Sequence, residues 1–178
     1  MKRILTLALI FQSVLTFAQI TLNPDGISYG EKDFIVIEVE GKSAKELYKN
    51  AVKYVNETYK NPNEVMRGNV EGEMMSFKTY ADVNFKNMIN IPGYMTYYTS
   101  LNFKDGKVKF EISDLNMKIT QNSQSVLVSG SPMGGWVIYT KKGKLKQAEA
   151  KQQIESQFNK TLNDLVETLK NGGKDNDW

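Results

Sequence analysis

Two strand-like segments joined by Asp105-Gly106 constrain the fold of this chain more than any other part of its sequence. An Asp-Gly pair between β-branched and aromatic runs predicts a type I′ turn and a β-hairpin of residues 94–104 and 107–115. The register of a two-residue turn brings apolar residues together: Phe103 with Val108, Leu101 with Phe110, and Thr99 with Ile112. The intervening positions are polar in both strands. The hairpin therefore predicts an antiparallel sheet with one buried and one solvent-exposed face.

The residues before this hairpin predict one helix and several strands. Ser43 and Glu46 form a capping-box pattern, and apolar residues at helical spacing follow, which predicts a helix over 44–60. Strands are expected at 33–40, 65–70 and 73–85, the last with strict alternation, and a loop is expected at 86–93.

The residues after the hairpin predict an excursion and a long helix. Residues 125–129 and 136–139 are short strand-like runs separated by a Gly-rich segment, so we expect residues 116–143 to hold an inserted hairpin. An apolar stripe from Ile154 to Leu169 predicts a helix over 145–170.

The order of elements indicates one α+β domain, because 178 residues give room for a single ordinary domain. The expected order is β-α-β-β-β-β-(extra hairpin)-α, with an antiparallel sheet and two helices packed on one of its faces. The domain is expected at 32–170, after a turn-rich linker at 19–31 and before a disordered tail at 171–178. The alternative architecture is a helix-grip fold, in which a curved antiparallel sheet wraps around the last helix.

The first eighteen residues have the pattern of a secretory signal peptide. Lys2 and Arg3 precede an apolar run, and the segment ends Thr16-Phe17-Ala18, with small residues where a signal peptidase requires them. We expect cleavage after Ala18 and export to the periplasm or the medium, with no stable insertion in a membrane afterwards. The apolar run is interrupted by polar residues and is short for the alternative, a membrane anchor.

Net charge gives little support to nucleic-acid binding. The chain has 23 basic and 20 acidic residues, and loss of residues 1–18 removes two basic residues and no acidic one. Of the basic residues that remain, only Arg67 is an arginine, the residue best suited to phosphate and base-edge contacts. We expect no nucleic-acid partner.

The absence of cysteine and histidine excludes many catalytic chemistries. There can be no disulfide, no thiol nucleophile, no Cys/His zinc site and no Ser–His–Asp triad. Paired carboxylates are the remaining acid–base option, and nothing in the sequence places such a pair in a cleft. We expect a protein without enzymatic activity, cofactor or metal.

Tyrosines on the polar face of the sheet are the first candidate binding residues. Tyr80, Tyr94 and Tyr98 all fall on the predicted non-core face of neighbouring strands. Such rings form a binding platform, stabilise the sheet as cross-strand pairs, or are covered by residues 116–143. Met133 and Trp136, in or beside the Gly-rich segment, are the other candidates.

Two functional hypotheses follow. The first is a non-enzymatic, exported protein that binds another envelope protein or a glycan. The alternative is a carrier that holds a small apolar ligand between the sheet and the last helix.

Two stretches of the sequence are similar to a known family. Val39-Glu40-Gly41-Lys42-Ser43-Ala44-Lys45-Glu46-Leu47-Tyr48 leads from a strand into a capped helix, and residues 97–110, with Ile112-Ser113-Asp114-Leu115, form the hairpin. These residues resemble the exported bacterial family called domain of unknown function 4468, to which a TATA-binding-protein-like (TBP-like) fold is assigned. The resemblance covers about two thirds of the chain after residue 18. It implies the fold and export, and it implies no activity or catalytic residues.

Overall fold

The computed structural model describes residues 19–131 and 135–172, which form three helices and nine strands. The helices are α1 (Ala44–Thr58), α2 (Pro62–Val65) and α3 (Ala148–Asn171). The strands are β1 (Thr21–Asn23), β2 (Gly26–Ser28), β3 (Ile35–Glu38), β4 (Met66–Val70), β5 (Met74–Asn87), β6 (Ile89–Lys104), β7 (Lys107–Ile119), β8 (Ser125–Gly130) and β9 (Trp136–Thr140). The predicted signal peptide at 1–18, Met133, and residues 173–178 of the predicted tail lie outside the described residues. The α+β class is confirmed, and the single-turn helix α2 was not predicted.

Strands β3 to β9 form one seven-stranded, mostly antiparallel sheet. Its order is β4-β5-β6-β7-β8-β9, and β3 pairs with the first half of β7. The predicted register of the β6–β7 hairpin is confirmed at every pair that the sequence indicated, from Lys104 opposite Lys107 to Thr99 opposite Ile112. This match fixes which side chains face the core and which face solvent.

The Asp105-Gly106 turn packs against the first turn of α1. Only Gly106 has a positive φ, 74°, so the turn is not the predicted type I′, which needs positive φ at both residues. Asp105 Oδ1 instead accepts a hydrogen bond from the Ala44 N–H at 2.8 Å, and the Gly106 N–H donates to the Lys42 carbonyl at 2.8 Å. The predicted capping box of Ser43 and Glu46 is present at the same place. The two segments that carry the family resemblance therefore meet here.

Helices α1 and α3 pack on one face of the sheet, as predicted, and bury its odd-numbered side chains from β5 and β6. The Phe158 ring of α3 meets the Tyr97 ring of β6 edge-on at 5.0 Å, and both side chains are fully buried. The Tyr97 hydroxyl lies 2.9 Å from Thr161 Oγ1, which satisfies a polar group inside the core. The helix-grip alternative is therefore not needed to account for the fold.

The predicted loop at 86–93 is wrong, because β5 and β6 continue as paired strands almost to the tip of a long hairpin. Asn87 pairs with Ile89 around Met88, which has φ 60°. Gly93 lies within β6, and a Cβ there would stand 2.5 Å from the Lys118 carbonyl oxygen and 2.5 Å from the Phe85 ring. The Pro-Gly pair that suggests a loop is thus a close approach between strands.

The predicted inserted hairpin at 116–143 is also wrong. Strands β8 and β9 pair in parallel, with Val126 beside Trp136 and Gly130 beside Thr140, so they are not the two arms of a hairpin. They extend the sheet beyond β7 and do not fold over it. Short apolar runs carry no signal for strand direction, and the Gly-rich segment between them has the composition of a tight turn.

Residues 19–31 are not a linker. Strands β1 and β2 form a small hairpin whose Ile20 and Leu22 side chains are fully buried. The Tyr29 hydroxyl reaches into the sheet, accepting from the Ile112 N–H at 2.6 Å and donating to the Ile112 carbonyl at 3.1 Å. Burial there raises the pKa of Tyr29 to about 12. These residues therefore belong to the domain, which does not start at residue 32.

Candidate functional site

The face of the sheet opposite the helices carries the predicted tyrosines, and we call it the open face. Four neighbouring cross-strand rows of residues hold and flank the tyrosines: Gly68, Ser76, Ser100 and Glu111; Lys78, Tyr98 and Ser113; Tyr80, Thr96 and Asn116; Asp82, Tyr94 and Lys118. Because β8 and β9 extend the sheet sideways, residues 116–131 and 135–143 do not cover these rows.

Tyr80 and Tyr94 form a stacked pair on this face. Their ring centroids are 5.2 Å apart with an interplanar angle of 21°. Tyr80 is 60% exposed, whereas Tyr94 is half-buried. Desolvation, with smaller contributions from Asp82 and Tyr94, raises the pKa of Tyr80 above its ordinary value. The phenolic hydroxyl of tyrosine can both donate and accept a hydrogen bond.

Tyr98 lies diagonally next to Tyr80, but it stacks on neither of the other two rings. The Lys78 ammonium group stands 5.8 Å from the centroid of the Tyr98 ring, within the range of a cation–π contact. The open face thus carries an aromatic pair and, one row away, an aromatic ring beside a cation.

A shallow depression of about 310 Å³ adjoins Tyr98. Its wall and floor are formed by Arg67, Gly68, Ser76, Tyr98, Ser100, Ser113 and Asp114. Gly68 has no side chain to fill it, and the Ser100 hydroxyl donates to Ser76 Oγ at 3.4 Å across its floor. Serines from β5, β6 and β7 therefore line the same depression.

A β-bulge in β7 shapes one side of this depression. The register with β6 shifts between the Thr96–Asn116 pair and the Tyr98–Ser113 pair, so β7 holds one extra residue there. Asp114 lies in the bulge with φ 51°, and its carbonyl accepts from Asn116 Nδ2 at 2.9 Å. Bulges of this kind redirect side chains and are frequent beside binding sites.

Reasoning from the sequence missed Arg67 and the serines of this depression. The signal for Arg67 was visible, because it is the one arginine after residue 18. The serines carried no such signal, since only the cross-strand register shows that they are neighbours.

Trp136 is not part of the open face. It lies at the start of β9, half-buried on the core side, where its ring stands 6.4 Å from the Phe85 ring. The structure therefore does not bring Trp136 to the tyrosines, and Met133 lies outside the described residues.

No group of three or more His, Cys, Asp or Glu side chains in residues 19–131 and 135–172 is placed to hold a metal ion. None of the helices in that part of the chain combines the length and apolar character needed to cross a membrane.

Comparison with known proteins agrees with this fold. The family model of a domain of unknown function (DUF4468) with TBP-like fold matches residues 35–118. Residues 35–118 are thus similar to the DUF4468 family. The matched segment runs from β3 to the end of β7, so it includes the capped helix α1 and all three tyrosines of the open face.

Two crystal structures are similar to this chain in fold. A DUF4468 family protein from Bacteroides ovatus superimposes with a TM-score of 0.58 at 14% identity, covering 83% of this chain and 91% of that one. A TBP-like protein from Parabacteroides distasonis gives a TM-score of 0.50 at 12% identity, covering 76% and 95%. No curated protein matches the sequence. The TBP-like fold is thus confirmed, and it carries no function by itself.

Proposed function

We propose that this protein is an exported, non-enzymatic binding domain of the bacterial envelope that binds a glycan on its open face. The observation that carries the proposal is the stacked Tyr80–Tyr94 pair, displayed on a face that no described helix covers. The lack of cysteine and histidine supports a binding role over a catalytic one.

The chemistry of the open face favours a glycan over a protein as its ligand. The centre of a protein–protein interface is usually apolar, with few charged groups. Here the rows around the tyrosines hold serine, threonine, asparagine, lysine and aspartate side chains. Aromatic rings offer an apolar surface to the C–H groups of a sugar ring, and the polar side chains offer hydrogen bonds to its hydroxyl groups.

The carrier alternative gains no support from the contacts between the sheet and α3. The space that an apolar ligand would need is crossed by the Tyr97–Phe158 ring contact and the hydrogen bond between the Tyr97 and Thr161 hydroxyls. Ile154, Leu162 and Leu165 of the same helix stripe are also buried.

A Tyr80→Ala variant tests the proposed site. We expect affinity for the polysaccharide that the protein binds to fall about tenfold, because the exposed ring supplies both apolar surface and a hydroxyl. Stability should change by less than about 1 kcal/mol, since the ring is mostly in solvent. The measurement is binding to an array of bacterial and plant polysaccharides, followed by titration calorimetry on the best ligand.

Leu127→Ala is the matched control, because Leu127 is on the same face of the sheet, 54% exposed, and three strands away from Tyr80. It should leave binding unchanged. If no polysaccharide binds, and a protein from an envelope extract is captured through Tyr80 instead, the glycan assignment is wrong and the face is a protein interface.

Export has its own test. The protein should be recovered from the periplasm or the medium of its host with Gln19 as its first residue, as N-terminal sequencing of the purified chain would show. Recovery of the chain from the cytoplasm with Met1 or Lys2 at its start would contradict the proposal.

A further inference from the structure

The depression beside Tyr98 differs in chemistry from the tyrosine pair. Arg67 lines it, and among residues 19–131 and 135–172 this guanidinium takes part in no ion pair or hydrogen bond that would neutralise it. Lys78 stands in the neighbouring row, next to the Tyr98 ring. An arginine without an internal partner leaves its planar set of N–H donors available to a ligand.

The neutral groups around Arg67 also suit an anion. The hydroxyls of Ser76, Ser100 and Ser113 come from three adjacent strands, and each can rotate its proton toward an acceptor. The nearby Lys109 and Glu111 form an ion pair with each other at 2.8 Å, so together they add no net charge beside the depression.

We propose that this depression binds the acidic group of an anionic glycan, with the Arg67 guanidinium as the principal contact. The inference rests on the proposed function, since the sugar ring would lie on the tyrosines and its acidic group would reach past Tyr98 to Arg67. Carboxylate and phosphate share the required chemistry, because both accept paired hydrogen bonds from arginine.

Asp114 gives the proposal a second, opposite test. Its carboxylate lines the same depression and would repel an acidic ligand. Asparagine is the residue best able to replace it, because Asn tolerates the positive φ at this bulge and has the same shape without the charge. Removing this carboxylate should therefore strengthen binding of an acid, while removing Arg67 should weaken it.

The experiment compares glucose, glucuronic acid and glucose 6-phosphate, which share one ring and differ in the group at its end. Each is titrated into the purified, isotope-labelled protein, and chemical shifts are followed by NMR. We expect at least one acidic sugar to bind about fivefold more tightly than glucose, a modest factor because an open surface is screened by solvent. The preference should decrease as salt is added.

Variants of the protein show which side chains cause the preference for an acidic sugar. Arg67→Gln should abolish the preference for the acidic sugar, and Asp114→Asn should increase it about twofold. Lys142→Gln, which removes one exposed positive charge in the turn between β9 and α3, is the control and should leave it unchanged. Gly68→Ala should weaken the binding of all three sugars, because the added methyl group occupies part of the depression. The fold should tolerate this methyl group, since its Cβ would lie 3.7 Å from Met74 Cε and 3.8 Å from Ser76 Cβ, which are ordinary contact distances.

Each outcome bears on one proposal or the other. Equal affinity for the three sugars, unaffected by Arg67→Gln, would overturn the acidic-group inference and leave glycan binding intact. Inorganic phosphate is titrated in the same way: if it shifts the Arg67 signals while none of the three sugars and no polysaccharide of the array binds, the anion site stands and the proposed glycan function fails. Shifts confined to residues far from Arg67 would overturn the inference.

Discussion

Replacing Leu22 with alanine is expected to lower the free energy of unfolding by about 3 kcal/mol, the cost of removing a fully buried leucine side chain. The loss should be large because hydrogen bonds hold both the N–H and the carbonyl of Leu22 in place, so the backbone cannot easily shift to fill the cavity. Its N–H donates to Glu155 Oε1 at 2.7 Å, and its carbonyl accepts from the Tyr139 hydroxyl at 2.6 Å. Urea denaturation followed by circular dichroism measures the change.

Leu145→Ala is the control for this prediction, because Leu145 is 40% exposed and its loss should cost less than about 1 kcal/mol. A comparably small change at Leu22 would mean that residues 19–31 are the loose lead-in that their turn-rich sequence suggests. The structure argues otherwise, since the Asn159 side-chain amide pairs with both the N–H and the carbonyl of Ile20, at 3.0 Å and 2.9 Å.

This N-terminal segment shows where local sequence patterns stop being informative. The β6–β7 register could be predicted because the turn and the alternation of apolar residues lie within about twenty residues of each other. The burial of Ile20 and Leu22 depends on Glu155 and Asn159, more than 130 residues later in the chain. Nothing in residues 19–31 indicates that partner, so the segment was predicted to be a linker.

The candidate site likewise has one part that local sequence patterns predict and one part that they do not. Strand alternation placed Tyr80, Tyr94 and Tyr98 on one face, and the structure confirms this placement. The depression beside them depends on the bulge at Asp114 and on which serines become neighbours across β5, β6 and β7. A bulge has no reliable sequence signal, and serine is common on solvent-exposed strand faces, so this part of the site required the structure.

Phe158→Ala is expected to have the largest effect on stability, a loss of about 4 kcal/mol in the free energy of unfolding. Phe158 is fully buried where α3 crosses the sheet, and its ring meets the Tyr97 ring at 5.0 Å. Truncation leaves a cavity that the rigid sheet cannot close. Phe158→Leu, which keeps much of the volume, should cost clearly less, and urea denaturation of both variants gives the comparison.

The same variant separates the two faces of the sheet. Because Phe158 and the tyrosine pair lie on opposite faces, the folded fraction of Phe158→Ala should bind glycans as the unchanged protein does. Tyr80→Ala should instead bind about tenfold more weakly and keep its stability. A loss of only about 1 kcal/mol, together with uptake of an apolar dye by the unchanged folded protein, would show space between α3 and the sheet. That result would return the carrier alternative to first place, since a ligand and the Tyr97–Phe158 contact compete for the same volume.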